Sequence, residues 1–256
     1  MDLEQKKQII ISLIETFKEA GKTALKLRKA GLKKEIKSDN TPVTNGDIEV
    51  NNILTKKIST LTSQIPIVSE ENSDNKDILN LKNFWLIDPI DGTRDYINNK
   101  DEFTLNAALI LDRKPALGII NAPAKNRLFY SYGPSMSFEF SNDIEINLFK
   151  KNKKLNTTNA VSYSDDLKIE ILNFHKEFKV KNFQKMKSSL KFCVVASGEF
   201  DLYVAEARAC EWDIAAGHAI VEHAGGKITD FNNNDVFYGK KNFQNTSIIV
   251  RNKHIL

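Results

Sequence analysis

Two aspartates three residues apart, Asp88 and Asp91, follow the apolar run Phe84-Trp85-Leu86-Ile87 in the string Asp88-Pro89-Ile90-Asp91-Gly92-Thr93. A run that is apolar on both faces reads as a central buried strand, and ligands of layered α/β proteins bind at the ends of such strands. Two carboxylates and a turn carbonyl crowded there repel one another unless a hard cation neutralises them. Donors that are all oxygen favour magnesium over zinc. Gly92 and Thr93 can then begin a helix, whose unpaired N–H groups would cradle a phosphate beside the metal. An isolated Asp-Gly is usually a turn with a capping acid; it is the complete six-residue string that points to a site.

Further acids stand where strands end or helices begin. Glu70 and Glu71 follow a short strand, Ile67-Val68, started by Pro66. Asp213 follows Trp212 and opens a helical segment, Ile214 to His223, that ends at Gly225-Gly226; a first-turn acid there is favoured by the helix dipole in any protein. The elements that must position these groups are legible from periodicity. Apolar residues from Ile10 to Leu27 recur at three- and four-residue steps and predict a long amphipathic helix ended by Gly31. Thr44 and Asp47 form a variant capping box for a second helix running through Val50, Ile53, Leu54, Ile58 and Leu61. Past the polar loop at 72–76, Pro89 is expected to stop the central strand. Phe103 to Leu111, Ala116 to Ile120 and Leu128 to Tyr130 read as consecutive strands of one sheet. In the second half a helix near Asp165 to His175, a strand around Val180, a compact apolar segment Leu190 to Ala196 and a strand Asp201 to Val204 are expected. Helices and strands are read as alternating throughout, with two halves, 1–155 and 156–256, meeting near Asn156.

In order and spacing, Glu70-Glu71, Asp88 to Thr93 and Trp212-Asp213-Ile214-Ala215-Ala216-Gly217, closed by Ala224-Gly225-Gly226, resemble the three signatures of the inositol monophosphatase superfamily. The resemblance spans most of the chain. It implies an α/β fold, the layered α-β-α-β-α sandwich of the inositol monophosphatase and fructose-1,6-bisphosphatase type. It implies two or three Mg2+ ions held by Glu70, Asp88, Asp91, Asp213 and the backbone carbonyl of Ile90. Water oriented by Glu70 and the Thr93 hydroxyl would attack the phosphate in line, with Gly92, Thr93 and Asp213 against the substrate. Asp47 matches a family position close to the metal waters, with simple helix capping as the alternative.

Within the superfamily, Asp101-Glu102-Phe103-Thr104-Leu105-Asn106 and Ser188-Ser189-Leu190-Lys191-Phe192-Cys193 look most like the 3'(2'),5'-bisphosphate nucleotidases. Ser188 and Lys191 would then contact the nucleotide, a hydroxyl and an ammonium suited to a second, non-reacting phosphate. Ala205 and Asp165 depart from that pattern, standing where an arginine and a histidine are usual. Arg208 could reach the same phosphate, whereas Glu206 resembles the position at which inositol-type enzymes hold a sugar hydroxyl. A monophosphatase for inositol or another polyol is therefore the rival reading. A module binding RNA or a transcription complex is a third, against which the intact ligand set argues.

Composition sets the bounds. A chain of 256 residues with 41% apolar side chains can bury one large core or two packed halves. No stretch approaches the roughly 18 apolar residues of a spanning helix, and the N-terminal residues lack a signal peptide's apolar run, so a cytoplasmic protein is expected. Two cysteines, Cys193 and Cys210, without metal-ligand spacing, read as buried free thiols. The formal charge of +4 is modest, and the run Lys150, Lys151, Lys153 and Lys154 lacks interleaved aromatics, so nucleic acid is not an expected partner. The expected partner is a small phosphorylated substrate, and the resemblance makes a homodimer one expectation, since dimers are common in the family.

Overall fold

A computed structural model describes residues 1–37, 40–71, 76, 80–151 and 157–256. Lys153, Lys154, the boundary near Asn156 and the loop at 72–75 lie outside the described residues. The order of elements is α1 (Leu3–Ala30), β1 (Lys34–Ile36), β2 (Pro42–Thr44), α2 (Asn45–Leu61), β3 (Ile67–Ser69), β4 (Phe84–Asp91), α3 (Thr93–Ile97), β5 (Thr104–Leu111), β6 (Lys114–Ala122), β7 (Arg127–Gly133), β8 (Met136–Ser141) and β9 (Ile144–Asn147). There follow β10 (Thr158–Ser162), α4 (Ile169–Glu177), β11 (Val180–Lys185), α5 (Leu190–Ala196), β12 (Leu202–Ala205), α6 (Glu211–His223), β13 (Lys227–Thr229) and β14 (Ile248–Arg251).

Seven strands, β3 to β9, form one sheet in sequence order, and five form a second in the order β11-β10-β12-β14-β13. Helices α1 and α2 cover one face of the large sheet, α5 and α6 fill the space between the sheets, and α4 covers the outside of the small one. The result is the five-layer sandwich expected. Strand β4 shows why its run is apolar throughout: Trp85 and Ile87 enter the core under α1 and α2, while Phe84 and Leu86 enter the core between the sheets. Helix α1 contributes Ile10, Leu13, Phe17, Ala20 and Ala24 to the first core, each fully buried. It stops at Gly31, whose φ of 97° favours glycine.

Several expectations need correction. Helices and strands do not alternate between residues 104 and 147, where β5 to β9 form an antiparallel meander. The reason is local: the two-residue turns Asp112-Arg113 and Asn142-Asp143 have positive φ at both positions, as a tight hairpin demands. The helix anticipated from Asp165 starts at Ile169. Cys193 is buried but Cys210 is only half-buried. The central strand does not stop at Pro89 but runs on to Asp91.

That last difference shapes the site. Asp88 pairs with Asn106 and Asp91 with Thr104, so three steps along β4 oppose two along β5. The extra residue is a β-bulge, where Pro89 needs no ladder hydrogen bond. In a regular strand, residues three apart point to opposite faces. Here the bulge resets the alternation, because Ile90 joins Trp85 and Ile87 in the core under α1 and α2. Asp88 and Asp91 are thereby turned the same way.

Candidate active site

Carboxylate oxygens of Asp88, Asp91 and Asp213 lie within 4.8 Å of one another. Asp213 arrives from the first turn of α6, where its Oδ2 accepts a bond from the Cys210 amide at 2.7 Å. The ordinary capping role of a first-turn acid is thus real, and the residue also faces the cluster. Ser189 ties the motifs together: its Oγ lies 2.6 Å from Asp91 Oδ2 and 2.6 Å from the Asp213 carbonyl, and accepts from Asn106 Nδ2 at 3.0 Å. Nothing in the sequence distinguished Ser189 from its neighbour Ser188. Glu70 follows β3, which runs parallel to β4, and its amide continues the ladder to the Ile87 carbonyl at 3.0 Å.

Burial pushes the Asp88 carboxyl well above the carboxylate range, and the charges of Glu70, Asp91 and Asp213 push the same way. Burial likewise raises Asp91, and raises Asp213 to about 8. Asp88 Oδ1 is buried and has no hydrogen-bond partner among the described residues. A desolvated acid with an unmet acceptor, among oxygen donors only, fits a hard divalent cation. Glu70 and Glu71 are partly answered by Lys37, whose Nζ lies 3.1 Å and 2.8 Å from their carboxylates. Lys76 donates to the Glu70 carbonyl.

Thr93 Oγ1 lies 3.0 Å from the Ile90 carbonyl and 3.2 Å from Asp47 Oδ1. The other oxygen of Asp47 accepts from the amide and hydroxyl of Thr44 at 2.8 Å and 2.6 Å, completing the capping box. Capping and contact with the site are therefore divided between the two oxygens of one carboxylate. Gly92 turns the chain into α3 with φ 90°, and a Cβ there would stand 3.0 Å from the Glu102 carbonyl oxygen.

One cavity of about 490 Å³ is lined by Glu70, Asp88, Ile90, Asp91, Gly92, Thr93, Ser188, Lys191, Arg208 and Asp213. Ten of the residues singled out in the sequence thus share a single space. Asp47 stands behind Thr93, and Glu206 is held by Tyr163 and by Lys168 at 3.2 Å, outside the residues lining the cavity. The cavity holds cations as well as acids: Lys191, Arg208 and Lys187 line it together with the carboxylates, and Asp91 and Asp213 also share a smaller pocket with Lys191 and Arg208. Lys191 is buried, which pulls its ammonium down to about 8 against the opposing pull of Asp91, and its Nζ donates to the Ser188 carbonyl. Tyr163 and Lys187 line the same cavity without having been anticipated, since neither lies in a recognisable motif.

A five-layer α/β sandwich whose bulged central strand presents a carboxylate cluster to an open cavity is a metal-dependent phosphatase. The chain belongs to the inositol monophosphatase family, whose model matches residues 5–255. It is similar to the 3'(2'),5'-bisphosphate nucleotidase CysQ of Buchnera aphidicola subsp. Acyrthosiphon pisum, at 38% identity over 205 residues, 79% of this chain and 76% of that protein. The CysQ of Aggregatibacter actinomycetemcomitans is 29% identical over 251 residues, 94% of this chain and 92% of its own. Among solved structures, CysQ from Bacteroides thetaiotaomicron superposes with a TM-score of 0.78 at 26% identity, covering 98% of this chain and 99% of that one.

Proposed function

We propose that the protein removes the 3'-phosphate from adenosine 3',5'-bisphosphate or its sulfated form, using Mg2+. The observation that carries this reading is that one cavity holds, beside the carboxylates, a second set of groups, Ser188 and the cations Lys191 and Arg208. A monophosphate needs only the first set. The second offers a hydroxyl, an ammonium and a guanidinium to another phosphate. The relatives named as bisphosphate nucleotidases support the same substrate class.

Glu70, Asp88, Asp91, Asp213 and the carbonyl of Ile90 would hold two or three ions. When bound, these supply positive charge against the phosphate oxygens and make water easier to deprotonate. The Thr93 hydroxyl donates a hydrogen bond to Asp47 Oδ1, so that its lone pairs accept from the incoming water. Glu70 takes that water's proton. The water oxygen bonds to phosphorus as the bond to the ribose 3'-oxygen breaks, the leaving oxygen takes a proton from solvent and Glu70 returns its proton to solvent, giving inorganic phosphate and the 5'-monophosphate. Gly92 lets the backbone approach the reacting phosphate, while Ser188, Lys191 and Arg208 hold the other one.

This reading carries with it two structural halves, 1–155 and 156–256, a cytoplasmic location and a homodimer. It leaves nucleic acid out as a partner. Consistent with it, no helix among the described residues is long and apolar enough to cross a membrane. A substrate panel with Mg2+ is the test: kcat/KM for adenosine 3',5'-bisphosphate should exceed that for inositol 1-phosphate. The reverse ranking rejects the nucleotidase reading in favour of a polyol monophosphatase.

A further inference from the structure

Tyr163 lies one residue beyond β10 and contacts Glu206, Arg208 and Lys187. Its hydroxyl is 2.8 Å from both carboxylate oxygens of Glu206. Two residues on, the guanidinium of Arg208 lies over the Tyr163 ring, 4.1 Å from its centre. The Tyr163 carbonyl accepts from Lys187 Nζ at 2.9 Å, and the Lys187 amide donates to Glu102 at 2.9 Å. Tyr163, Lys187 and Arg208 all line the cavity.

Arg208 is exposed, and among the described residues no carboxylate forms an ion pair with it. A long cation in that situation samples many rotamers, and fixing it on an anion costs entropy at each binding event. An aromatic face beneath the guanidinium removes part of that freedom beforehand and leaves the charge available. The hydroxyl bond to Glu206 fastens the loop bearing Arg208 to the same ring. Burial, reinforced by the bond to Glu206, raises the phenol to about 12, so it remains a donor at neutral pH.

Resting on the second-phosphate reading above, we propose that Tyr163 is a positioning residue: its ring holds Arg208 in the orientation that recognises a second anionic group, and so sets the preference for doubly phosphorylated substrates. Its hydroxyl and ring engage Glu206 and Arg208 rather than Asp88, Asp91 or Asp213.

Steady-state kinetics on Tyr163→Leu and Tyr163→Phe, with adenosine 3',5'-bisphosphate and adenosine 3'-monophosphate, test this. Tyr163→Leu should raise KM for the bisphosphate about two- to fivefold, with kcat and the monophosphate KM essentially unchanged. Tyr163→Phe keeps the ring and should recover most of the loss. In an Arg208→Ala background the Leu substitution should add little. Equal KM rises for both substrates, a Phe variant as impaired as Leu, or additive effects with Arg208→Ala overturn the inference. Failure of the underlying reading shows separately, as a wild-type enzyme that does not distinguish bisphosphate from monophosphate.

Discussion

In the metal-free protein, raising the pH should lower stability, because crowded acids must ionise without a counter-ion. Asp213 is pushed from an ordinary 3.8 to about 8, first by burial and then by Asp91 and Glu70. Between those values the folded state holds a proton that the unfolded state has released, so each pH unit removes about 1.4 kcal/mol of stability. Over the window from about pH 6.5 to about pH 8 the loss is roughly 2 kcal/mol, or roughly 4–8 °C in Tm for a chain of this size. Asp88 and Asp91, raised by the same crowding, act with the same sign and can only add to it. Other groups titrate inside or at the edges of this window. His223, lowered to about 4 by burial, is neutral in both states above its ordinary 6.5. Lys191, lowered to about 8, begins to contribute only above that pH, and with the opposite sign. Glu71, raised to about 7 by burial despite Lys37, adds to the loss below pH 7. Thermal melts monitored by circular dichroism in the presence of a chelator read the slope directly. Mg2+ binds the ionised carboxylates, so its stabilisation should grow as pH rises, and Asp213→Asn should make the chelator slope shallower. A chelator Tm that is flat or rises across the window, or a slope unchanged by Asp213→Asn, would refute the reasoning.

Asp47→Asn should lower kcat about tenfold or more through Thr93 while Tm falls by only a few degrees; a loss confined to Tm in parallel kinetics and melts would leave capping as its whole role. Gly92→Ala meets a left-handed φ and a carbonyl oxygen at 3.0 Å, so denaturant titration should show a loss of about 1–3 kcal/mol, with activity falling too; wild-type stability would contradict that geometry. Burial raises both thiols, with Cys210 at about 12 and also opposed by Asp213, so a thiol-selective reagent at neutral pH should label neither quickly until the chain is unfolded.

The carboxylate motifs were legible because each is a short string whose chemistry and local geometry are fixed together: an apolar strand, a turn, then a helix start. Helices α1 and α2 and strand β4 were legible for a related reason, since periodicity over many residues records which face is buried. The strands β1, β2, β8, β9, β10, β13 and β14 were not: strands this short carry few alternations, and others of similar length, β3, β11 and β12, were read only approximately.

Residue types and spacing, by themselves, determined that this chain carries an acidic, oxygen-only centre of the inositol monophosphatase kind. Only the tertiary structure decided how that centre is completed. The bulge at Pro89 aims Asp88 and Asp91 the same way, and Ser189 bridges Asp91 to the backbone of Asp213. Lys37 answers Glu70, while Tyr163 and Lys187 line the cavity beside Lys191 and Arg208, and Glu206 bonds to Tyr163 without lining it. These relations join residues far apart along the chain, and no local string can encode a distance that exists only once two sheets have packed around α5 and α6.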